Sequence, residues 1–594
     1  MSDEPAENRL ERALPIAVVS VVAVAYVATA ARSILGPDNP EFATLFAVGG
    51  VAHPSGYPLY VLWLRAFRWL PAASPAHGAA LATVIAAVLS LIMLYRACRV
   101  FGASRAASSL VLAAYAFSTR AWILSTHAEV FAPNALVALA IVWGVRAPSL
   151  RGFWRVAFLG LFAGLGLSNH HSIIALAPIG LYGAIVGVRE DSHRRVRAVA
   201  AGVVALMVGL LPYGYLLVCA RNPGDRAVWG DPSTFAGLLF HFRRGEYGTT
   251  TFAVKSERSD RIGQVLILAL DLLRSLVALP LIALAAPLVR RREGTRSPVP
   301  SIETWLLIAS FLLAGPIFVL LFNLTTVGLD RIVVERFHLL PLALLGVLSA
   351  PHLDPPLKRL FSRPALTAAV VAAVVVLGAL FSIVDVREHQ RPSVELYVKN
   401  TLKLAPARAI ILGTGDHRFG GFSYARRALM LRTDVDYVDP IMLHHPWYHR
   451  QISARLGLTL IAPERDPLTG RDSISTPALA AQLLDTGRPL FLANAFTQAI
   501  EARFPTYPIG TLVRVLPPGQ ALPDPLTLLK MNEDAVAQFE LETEPTEIGT
   551  WGGDLQPAYA TPWLTLSRVF SSTGDLARAE ACKKRGDSLM PIQP

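Results

Sequence analysis

The chain has 594 residues, of which 53% are hydrophobic and only 16% are charged, and its mean hydropathy is +0.44. Soluble domains carry about 25% charged residues, so this composition excludes an ordinary soluble enzyme and predicts segments that lie in a membrane. The formal net charge is +12, but the basic residues form short clusters between apolar stretches, a pattern typical of membrane orientation rather than nucleic-acid binding.

Apolar runs that could cross a bilayer recur through residue 385. We predict about eleven of them, because a membrane helix needs about 20 predominantly apolar residues. They cover 14–32, 78–96, 106–123, 132–146, 154–168, 172–188, 196–219, 263–289, 303–323, 337–350 and 365–385. The first run follows a polar N-terminus and precedes no small-residue cleavage site, so it is predicted to be an uncleaved membrane helix.

The segment 57–70 decides the predicted orientation. It is apolar enough to span, yet it carries Arg65 and Arg68 beside Trp63. If it does not span, every strongly basic loop falls on one side, in agreement with the positive-inside bias. We therefore predict an amphipathic helix at the membrane interface with snorkelling arginines. The N-terminus is then cytoplasmic, and the first loop and everything after Val386 lie outside.

After residue 386 the long apolar runs give way to short apolar stretches. Short buried strands are predicted within 409–416, 435–438 and 489–493, and a helix over 476–484, an alternation typical of a small soluble α/β domain. The end, 561–591, is predicted to be a helical pair similar to one tetratricopeptide unit, although such repeats gain stability by stacking. The predicted fold is mainly α, with a membrane domain over 1–385, a soluble α/β domain over 386–520 and a helical tail over 521–594.

The first outward loop carries two carboxylates, Asp38 and Glu41, just after a membrane helix. If the intervening proline opens a short helix, Glu41 lies in its first turn and Asp38 near its cap position. A helix cap plus a solvated acid is the simpler explanation of this spacing. The run from His53 to Tyr60, which includes Tyr57, adds prolines, a glycine and a histidine. A purely structural turn would not need the histidine, so structural and functional explanations are balanced there.

Polar and ionisable residues recur at further outward helix ends. Such groups are expensive near membrane depth and usually face a cavity or one another, although headgroup water is an alternative environment. Arg336 could pair with its neighbour Glu335 or with a phosphate, which suits a guanidinium fork. The candidates are His127, Glu129, Asn169, His170 and Arg336.

Trp229 and Asp231 lie in a longer outward loop in which aromatic and charged residues alternate. Beside a membrane, such a loop is an interfacial anchor or the wall of a sugar site, and the anchor is the simpler explanation for each residue. The sequence contains no P-loop, dinucleotide glycine fingerprint or His-Glu-x-x-His motif. Nucleotide hydrolysis and zinc-dependent chemistry are therefore disfavoured.

Taken in order, these runs resemble a known family. They are Asp38-x-x-Glu41-Phe42, His53–Tyr60, Ala128–Phe131, Gly164–His170 and Glu335–Phe337. Together they are similar to the domain-of-unknown-function 2723 family, which includes the eukaryotic transmembrane O-mannosyltransferases and belongs to the GT-C superfold of membrane glycosyltransferases. The sequence departs from the family pattern in two places, with Ser55 at a usual proline and Pro40 at a usual glycine.

The resemblance implies a GT-C-like helical bundle that transfers a sugar, such as mannose or another hexose, from a polyprenyl phosphate with inversion on the outer face. It also places Asp38 at the position of the first-loop catalytic acid. Inverting transfer needs a carboxylate base for the acceptor hydroxyl, with Glu41 as its helper, and cationic or hydrogen-bonding groups at the leaving phosphate. His53, His170 and Arg336 are available for the phosphate.

The expected partners are membrane lipids, the polyprenyl-phosphate-linked sugar and a protein or glycan acceptor, without nucleic acid. The expected location is the inner membrane. The scheme requires no cofactor and no metal site, although some GT-C relatives use a divalent metal.

Two other functional classes are compatible with the same residues. A flippase or transporter of lipid-linked sugars would line its path with these polar groups, although the internal repeats and broken helices common in transporters are not evident. A non-catalytic envelope assembly protein would use the terminal helical pair for docking. Sugar transfer from a labelled lipid donor by the reconstituted protein separates an enzyme from both, and lipid movement without transfer favours the flippase.

Overall fold

The computed structural model describes residues 6–247, 260–282, 284–285, 300–322, 324–360, 364–465, 472–493 and 497–592. Contacts between segments divide the chain into two compact units. The first unit comprises Met1–Arg32, Gly49–Val228 and Pro232–Gln390, and the second comprises Ser33–Val48, Trp229–Asp231 and Arg391–Pro594. The sequence did not indicate that two segments from the helical part of the chain would pack with the C-terminal part.

The first unit is built of helices. They are Ala6–Ala28, Pro58–Ala66, Pro75–Val100, Arg105–Ala116, Thr119–Ser125, Phe131–Arg146, Phe153–Asn169, Ala177–Glu190, Arg195–Leu210, Pro212–Arg221, Phe235–Phe242, Arg261–Ser275, Ile302–Ala314, Pro316–Val319, Gly328–Glu335, Leu339–Leu360 and Pro364–His389, with 3₁₀ turns at His171–Leu176, Gly245–Tyr247 and Arg336–His338. Strands β1 (Gly50–Val51) and β2 (Ala227–Val228) pair in parallel.

Several of these helices are long and apolar enough to cross a membrane. Within the described residues there are seven, or eight if the bent pair Arg105–Ala116 and Thr119–Ser125 forms one span. The protein is therefore a multi-pass membrane protein. At the bend, the Ser118 side chain accepts a hydrogen bond from the backbone N–H of Ala121 and so caps a new helix, which leaves the pair bent by 68°.

The prediction of about eleven spans exceeds this number. The runs 132–146 and 154–168 form helices of only 16 and 17 residues, which reach about 25 Å against a hydrocarbon core of about 30 Å. The run 263–289 contains the helix Arg261–Ser275, and its last residues lie outside the described part of the chain. The segment 57–70 contains a helix of nine residues, Pro58–Ala66, which is too short to span, and its placement at the lipid interface stays a prediction.

The second unit mixes helices and strands. Its helices are Asn39–Val48, Ser393–Leu404, Asp416–Arg427, Pro446–Leu456, Thr476–Leu484, Thr497–Glu501, Pro525–Val536, Trp551–Leu555, Pro557–Ser572 and Leu576–Ser588, with a 3₁₀ turn at Met442–His444. Its strands are β3 (Ile410–Leu412), β4 (Asp436–Val438), β5 (Glu464–Arg465), β6 (Asp472–Ser473), β7 (Leu490–Leu492), β8 (Thr506–Ile509) and β9 (Leu512–Val515).

Five of these strands form one sheet in the order β4-β3-β7-β9-β8. β3 is parallel to both neighbours, with Ile410 opposite Asp436 and Leu490, whereas β9 is antiparallel to β7 and β8. The apolar side chains of β3 and β7 are buried on both faces of the sheet, the pattern expected of parallel strands covered by helices. The core includes Leu412, Val438, Ile452, Leu479, Leu483 and Leu492.

The last two helices, Pro557–Ser572 and Leu576–Ser588, pack on each other, and the first of them also packs on Pro525–Val536. Their shared core consists of Leu528, Trp563, Leu566, Phe570, Ala579 and Cys582. Gly574 adopts a φ of 84° in the turn between them, and the Asp575 side chain accepts from the N–H of Arg578 to begin the last helix.

Asp439 follows β4 and gives the second unit a pH-dependent stability. Its Oδ1 accepts the backbone N–H of Ile441, yet burial raises the pKa of the carboxyl to about 7. Because the unfolded pKa is about 3.9, Asp439 stabilises the fold below that pH and loses its contribution as the pH rises through 7. Asp439→Asn keeps an acceptor oxygen. At pH 8 it should therefore raise the free energy of unfolding by about 1–3 kcal/mol, and with it the melting temperature.

The effect of Asp439→Asn should shrink towards zero at pH 4, and thermal unfolding of the purified protein at both pH values measures it. Asp434→Asn is the control of opposite sign, because hydrogen bonds from Arg432 lower the pKa of Asp434. A shift for Asp439→Asn that is equal at pH 4 and pH 8 would contradict the prediction.

Candidate functional site

The His53–Tyr57 run forms a tight turn in the first unit. The backbone N–H of Gly56 donates to the carbonyl of His53 at 2.7 Å, and Tyr57 adopts a left-handed φ of 42° before Pro58 begins the next helix. This backbone conformation costs a bulky residue of the order of 1–3 kcal/mol. It returns the Tyr57 side chain to His53, whose Nε2 lies 3.1 Å from the Tyr57 hydroxyl.

His170 lies against this turn. Its ring stacks on that of Tyr57 with centroids 5.8 Å apart and planes 11° from parallel. Its Nδ1 accepts the backbone N–H of Ser172, so in the neutral ring the proton is on Nε2. Burial and the neighbouring arginines Arg244 and Arg336 lower the pKa of His170 to about 3. At neutral pH His170 is therefore an uncharged hydrogen-bond donor rather than a cation.

Arg336 is paired across the first unit with Glu129. Its NH1 lies 3.1 Å from Oε1 of Glu129, and the two side chains are 12% and 1% exposed. The guanidinium also lies 5.8 Å from the centre of the Phe131 ring, which contacts the rings of His170 and Phe337. Glu335, considered above as the simpler partner of Arg336, binds Arg120 and Arg331.

Arg120 and Arg331 belong to a charge network that the sequence reasoning missed, and Arg331 lies at its exposed edge. Arg120 binds Asp271 at 3.1 Å and Glu335 at 2.7 Å. Arg331 also binds Glu335, and Nδ1 of His338 lies 2.7 Å from Asp271. The sequence signal for this network was a charged residue inside each of two apolar runs, Arg120 in 106–123 and Asp271 in 263–289. Charged residues are rare in such runs unless they have a partner.

Two further predicted residues have local structural partners. Nδ1 of His127 lies 2.6 Å from the carbonyl oxygen of Ile123, and its ring is 5.2 Å from that of His389. The Asn169 amide donates to the carbonyl of Val130 at 3.1 Å. These contacts tie helix ends together, and a role in binding substrate stays a prediction for both residues.

Asp38 and Glu41 belong to the second unit. The helix Asn39–Val48 begins directly after Asp38 and carries Glu41 in its first turn, as the proline had indicated. Both carboxylates are half-buried. The backbone N–H of Phe42 donates to the carbonyl of Asp38 at 3.1 Å, which continues the helical hydrogen bonding back to this residue.

Trp229 and Asp231 also belong to the second unit. The Trp229 ring contacts those of Phe419 and Trp447, with centroids 5.5 and 5.4 Å apart, beside the core of the sheet. Asp231 binds Arg450 at 2.8 Å, and both side chains are more than half exposed. These contacts make Trp229 an anchor within the protein rather than in lipid, and a sugar-binding role stays a prediction.

The structure thus brings His53, Tyr57, His170, Glu129 and Arg336 together in the first unit. A guanidinium, two imidazoles and a phenol in one place can surround an anion with hydrogen-bond donors. Among the residues that the structure describes, no three His, Cys, Asp or Glu side chains are grouped so that they could hold a metal ion.

The fold has a counterpart among solved structures. The crystal structure of ArnT from Cupriavidus metallidurans bound to undecaprenyl phosphate superposes with a TM-score of 0.54 at 14% identity, over 88% of this chain and 100% of that chain. The chain has the GT-C-type fold. The GT-C-like bundle predicted from the sequence is confirmed, and at this level of identity the likeness concerns the fold alone.

Sequence comparisons add relatives of this GT-C-type chain. Residues 38–193 match the family "Protein O-mannosyl-transferase TMEM260 N-terminal domain". The chain is 30% identical to the mouse protein O-mannosyl-transferase TMEM260 over 74% of this chain and 64% of that protein. It is 27% identical to the Dictyostelium discoideum protein of the same name over 38% of this chain and 30% of that protein. The chain thus spans less than two thirds of the length of these curated relatives.

Proposed function

We propose that the protein is an integral-membrane glycosyltransferase that moves a sugar, mannose or another hexose, from a polyprenyl phosphate to a hydroxyl of a protein or glycan acceptor. The observation that carries the proposal is the similarity to protein O-mannosyltransferases, which begins at Asp38 and continues through the His53 and His170 runs. The GT-C-type fold agrees with it. Transfer would occur on the outer face of the inner membrane, with the N-terminus in the cytoplasm.

The proposed reaction is a single displacement. The acceptor oxygen attacks the anomeric carbon while the bond from that carbon to the phosphate oxygen breaks, which inverts the configuration. Asp38 takes the proton of the acceptor hydroxyl, and Glu41 orients the acceptor or holds Asp38. The phosphate departs as an anion, so it needs stabilising donors more than a general acid.

Arg336, His170 and His53 are the proposed donors at the phosphate. A neutral His170 with its proton on Nε2 would donate a hydrogen bond without adding charge. Arg336 would supply the cation, and a bound phosphate would compete with Glu129 for its guanidinium. Glu129 would thus keep the guanidinium ordered when no donor is bound.

The test is sugar transfer by the protein reconstituted in liposomes with a labelled polyprenyl-phosphate mannose and envelope acceptors. Asp38→Asn should reduce transfer by about 10²–10⁴-fold, the usual contribution of a general base. Asp534→Asn, on an exposed helix position of the same unit, should leave the rate unchanged. An Asp38→Asn protein that inserts stably and transfers sugar at the full rate would refute the assignment.

A further inference from the structure

The segment that carries Asp38 and Glu41 packs with a distant part of the chain. Its neighbours on both sides, Met1–Arg32 and Gly49–Val228, belong to the first unit, whereas Ser33–Val48 belongs to the compact unit formed by Arg391–Pro594. A short segment is held this way only if specific contacts offset the cost of ordering it. Three such contacts lie along the segment that carries the two carboxylates.

The first contact is a hydrogen bond from the start of the segment. The backbone N–H of Ile34 donates to Oε2 of Glu395 at 3.0 Å, and Ile34 is fully buried. Glu395 is itself buried, and its other oxygen binds Lys399 at 2.6 Å. Lys399 is 37% exposed, so its pair with Glu395 contributes little. The contact that locates the start of the segment is the buried hydrogen bond from Ile34 to Glu395.

The second contact is the Trp551 ring, which lies flat on the backbone of Gly36. A Cβ atom added at Gly36 would lie only 2.5 Å from Cδ2 of this ring. Trp551 is in the helix Trp551–Leu555, whose Asp554 binds His417 and Arg418 at 3.2 Å. The indole therefore rests on a helix that is itself tied to Asp416–Arg427.

The third contact reaches Pro40, between the two carboxylates. The helices Asn39–Val48 and Asp416–Arg427 pack on each other, and a Cβ added at Gly420 would lie 3.1 Å from Cβ of Pro40. A side chain at this position would push Pro40 outward by a few tenths of an ångström. At the next residue, Gly421, an added Cβ would lie 2.8 Å from Cγ2 of Val398.

The helix Asp416–Arg427 also contacts the other short segment of the second unit, Trp229–Asp231. Phe419, adjacent to Gly420, contacts Trp229, and the segment Trp229–Asp231 also belongs to the second unit. The helix Asp416–Arg427 thus contacts both short segments of the second unit, Ser33–Val48 and Trp229–Asp231.

From these contacts we infer that the second unit positions Asp38 and Glu41, through the positioning residues Glu395, Trp551 and Gly420. The inference rests on the proposed role of Asp38 as base. The second unit would then contribute to the reaction rate, because a displacement of about 1 Å at a reacting group can lower the rate about 100-fold.

The test compares Glu395→Ala with Glu395→Gln in the full-length protein. The alanine variant loses the acceptor for the N–H of Ile34, whereas the glutamine oxygen can still accept it. We expect Glu395→Ala to lower kcat about 10- to 100-fold with KM for the lipid donor unchanged, and Glu395→Gln to recover most of the rate. Lys399→Met, which removes the other partner of Glu395, should remain close to the wild-type rate.

Hydrogen exchange supplies a readout that does not depend on activity. In Glu395→Ala and Trp551→Ala, peptides covering residues 33–48 should exchange faster, while peptides from strands β3 and β7 keep their protection. Faster exchange over the whole second unit, or no recovery in Glu395→Gln, would show a merely structural role and overturn the inference.

The two proposals can fail separately. If Asp38→Asn is inactive while Glu395→Ala and Trp551→Ala transfer at the wild-type rate, the positioning role is wrong and the proposed function stands. If Asp38→Asn is fully active, the role of Asp38 is wrong, and the positioning inference, which rests on it, is overturned as well.

Discussion

Replacing Arg120 by methionine is expected to lower the stability of the first unit by about 3–5 kcal/mol, the usual cost of breaking a buried ion pair. Arg120 is 13% exposed and binds two carboxylates, Asp271 and Glu335, that are 18% and 10% exposed. Methionine fills similar space but leaves both acids without their shared cation. A lower melting temperature of the detergent-solubilised protein, and less monodisperse protein after extraction, would report this loss.

Arg331→Met is the matched control, because Arg331 binds the same Glu335 at 2.7 Å but is 50% exposed. An exposed pair contributes only about 0–1 kcal/mol, so this variant should melt close to the wild type. Combining Arg120→Met with Asp271→Asn and Glu335→Gln removes the uncompensated charges and should restore part of the stability. Equal losses in the Arg120 and Arg331 variants would contradict the importance of burial.

Local features of the fold could be predicted from the sequence. The apolar runs up to residue 385 fall on helices within the described residues, since burial in lipid demands a continuous apolar stretch. The run 106–123 is bent into two helices, and the end of 263–289 lies outside the described part of the chain. The strands predicted within 409–416, 435–438 and 489–493 form at Ile410–Leu412, Asp436–Val438 and Leu490–Leu492. β8 and β9 were missed because Pro508 and Arg514 interrupt their apolar pattern.

The candidate site depends on contacts that sequence spacing does not encode. The first-turn position of Glu41 follows from a proline one residue earlier, and the structure confirms it. In contrast, Arg336 binds Glu129, which is 207 residues away in the sequence, and Ile34 binds Glu395, which is 361 residues away. Nothing in the sequence near Arg336 indicates Glu129 as its partner, because it is the packing of helices that brings this carboxylate within reach.

Gly164→Ala is expected to destabilise the first unit strongly. A Cβ at Gly164 would lie 2.3 Å from the carbonyl oxygen of Leu206, and one at Gly160 would lie 2.2 Å from that of Gly202. These glycines, four residues apart, share one face of the helix Phe153–Asn169 and let its backbone touch that of Arg195–Leu210, the small-residue packing common in membranes. Backbone atoms cannot rotate away, so the two helices must separate.

Gly214→Ala is the matched control, because a Cβ there meets no atom within 4 Å. Gly214 lies in the helix Pro212–Arg221, where alanine is favoured over glycine by about 1 kcal/mol. The same substitution should therefore stabilise at Gly214 and destabilise at Gly164, although both positions are helical. Thermal unfolding in one detergent compares them directly. Shifts of the same sign would mean that helix propensity, and not the close approach of the two backbones, determines the stability of this helix pair.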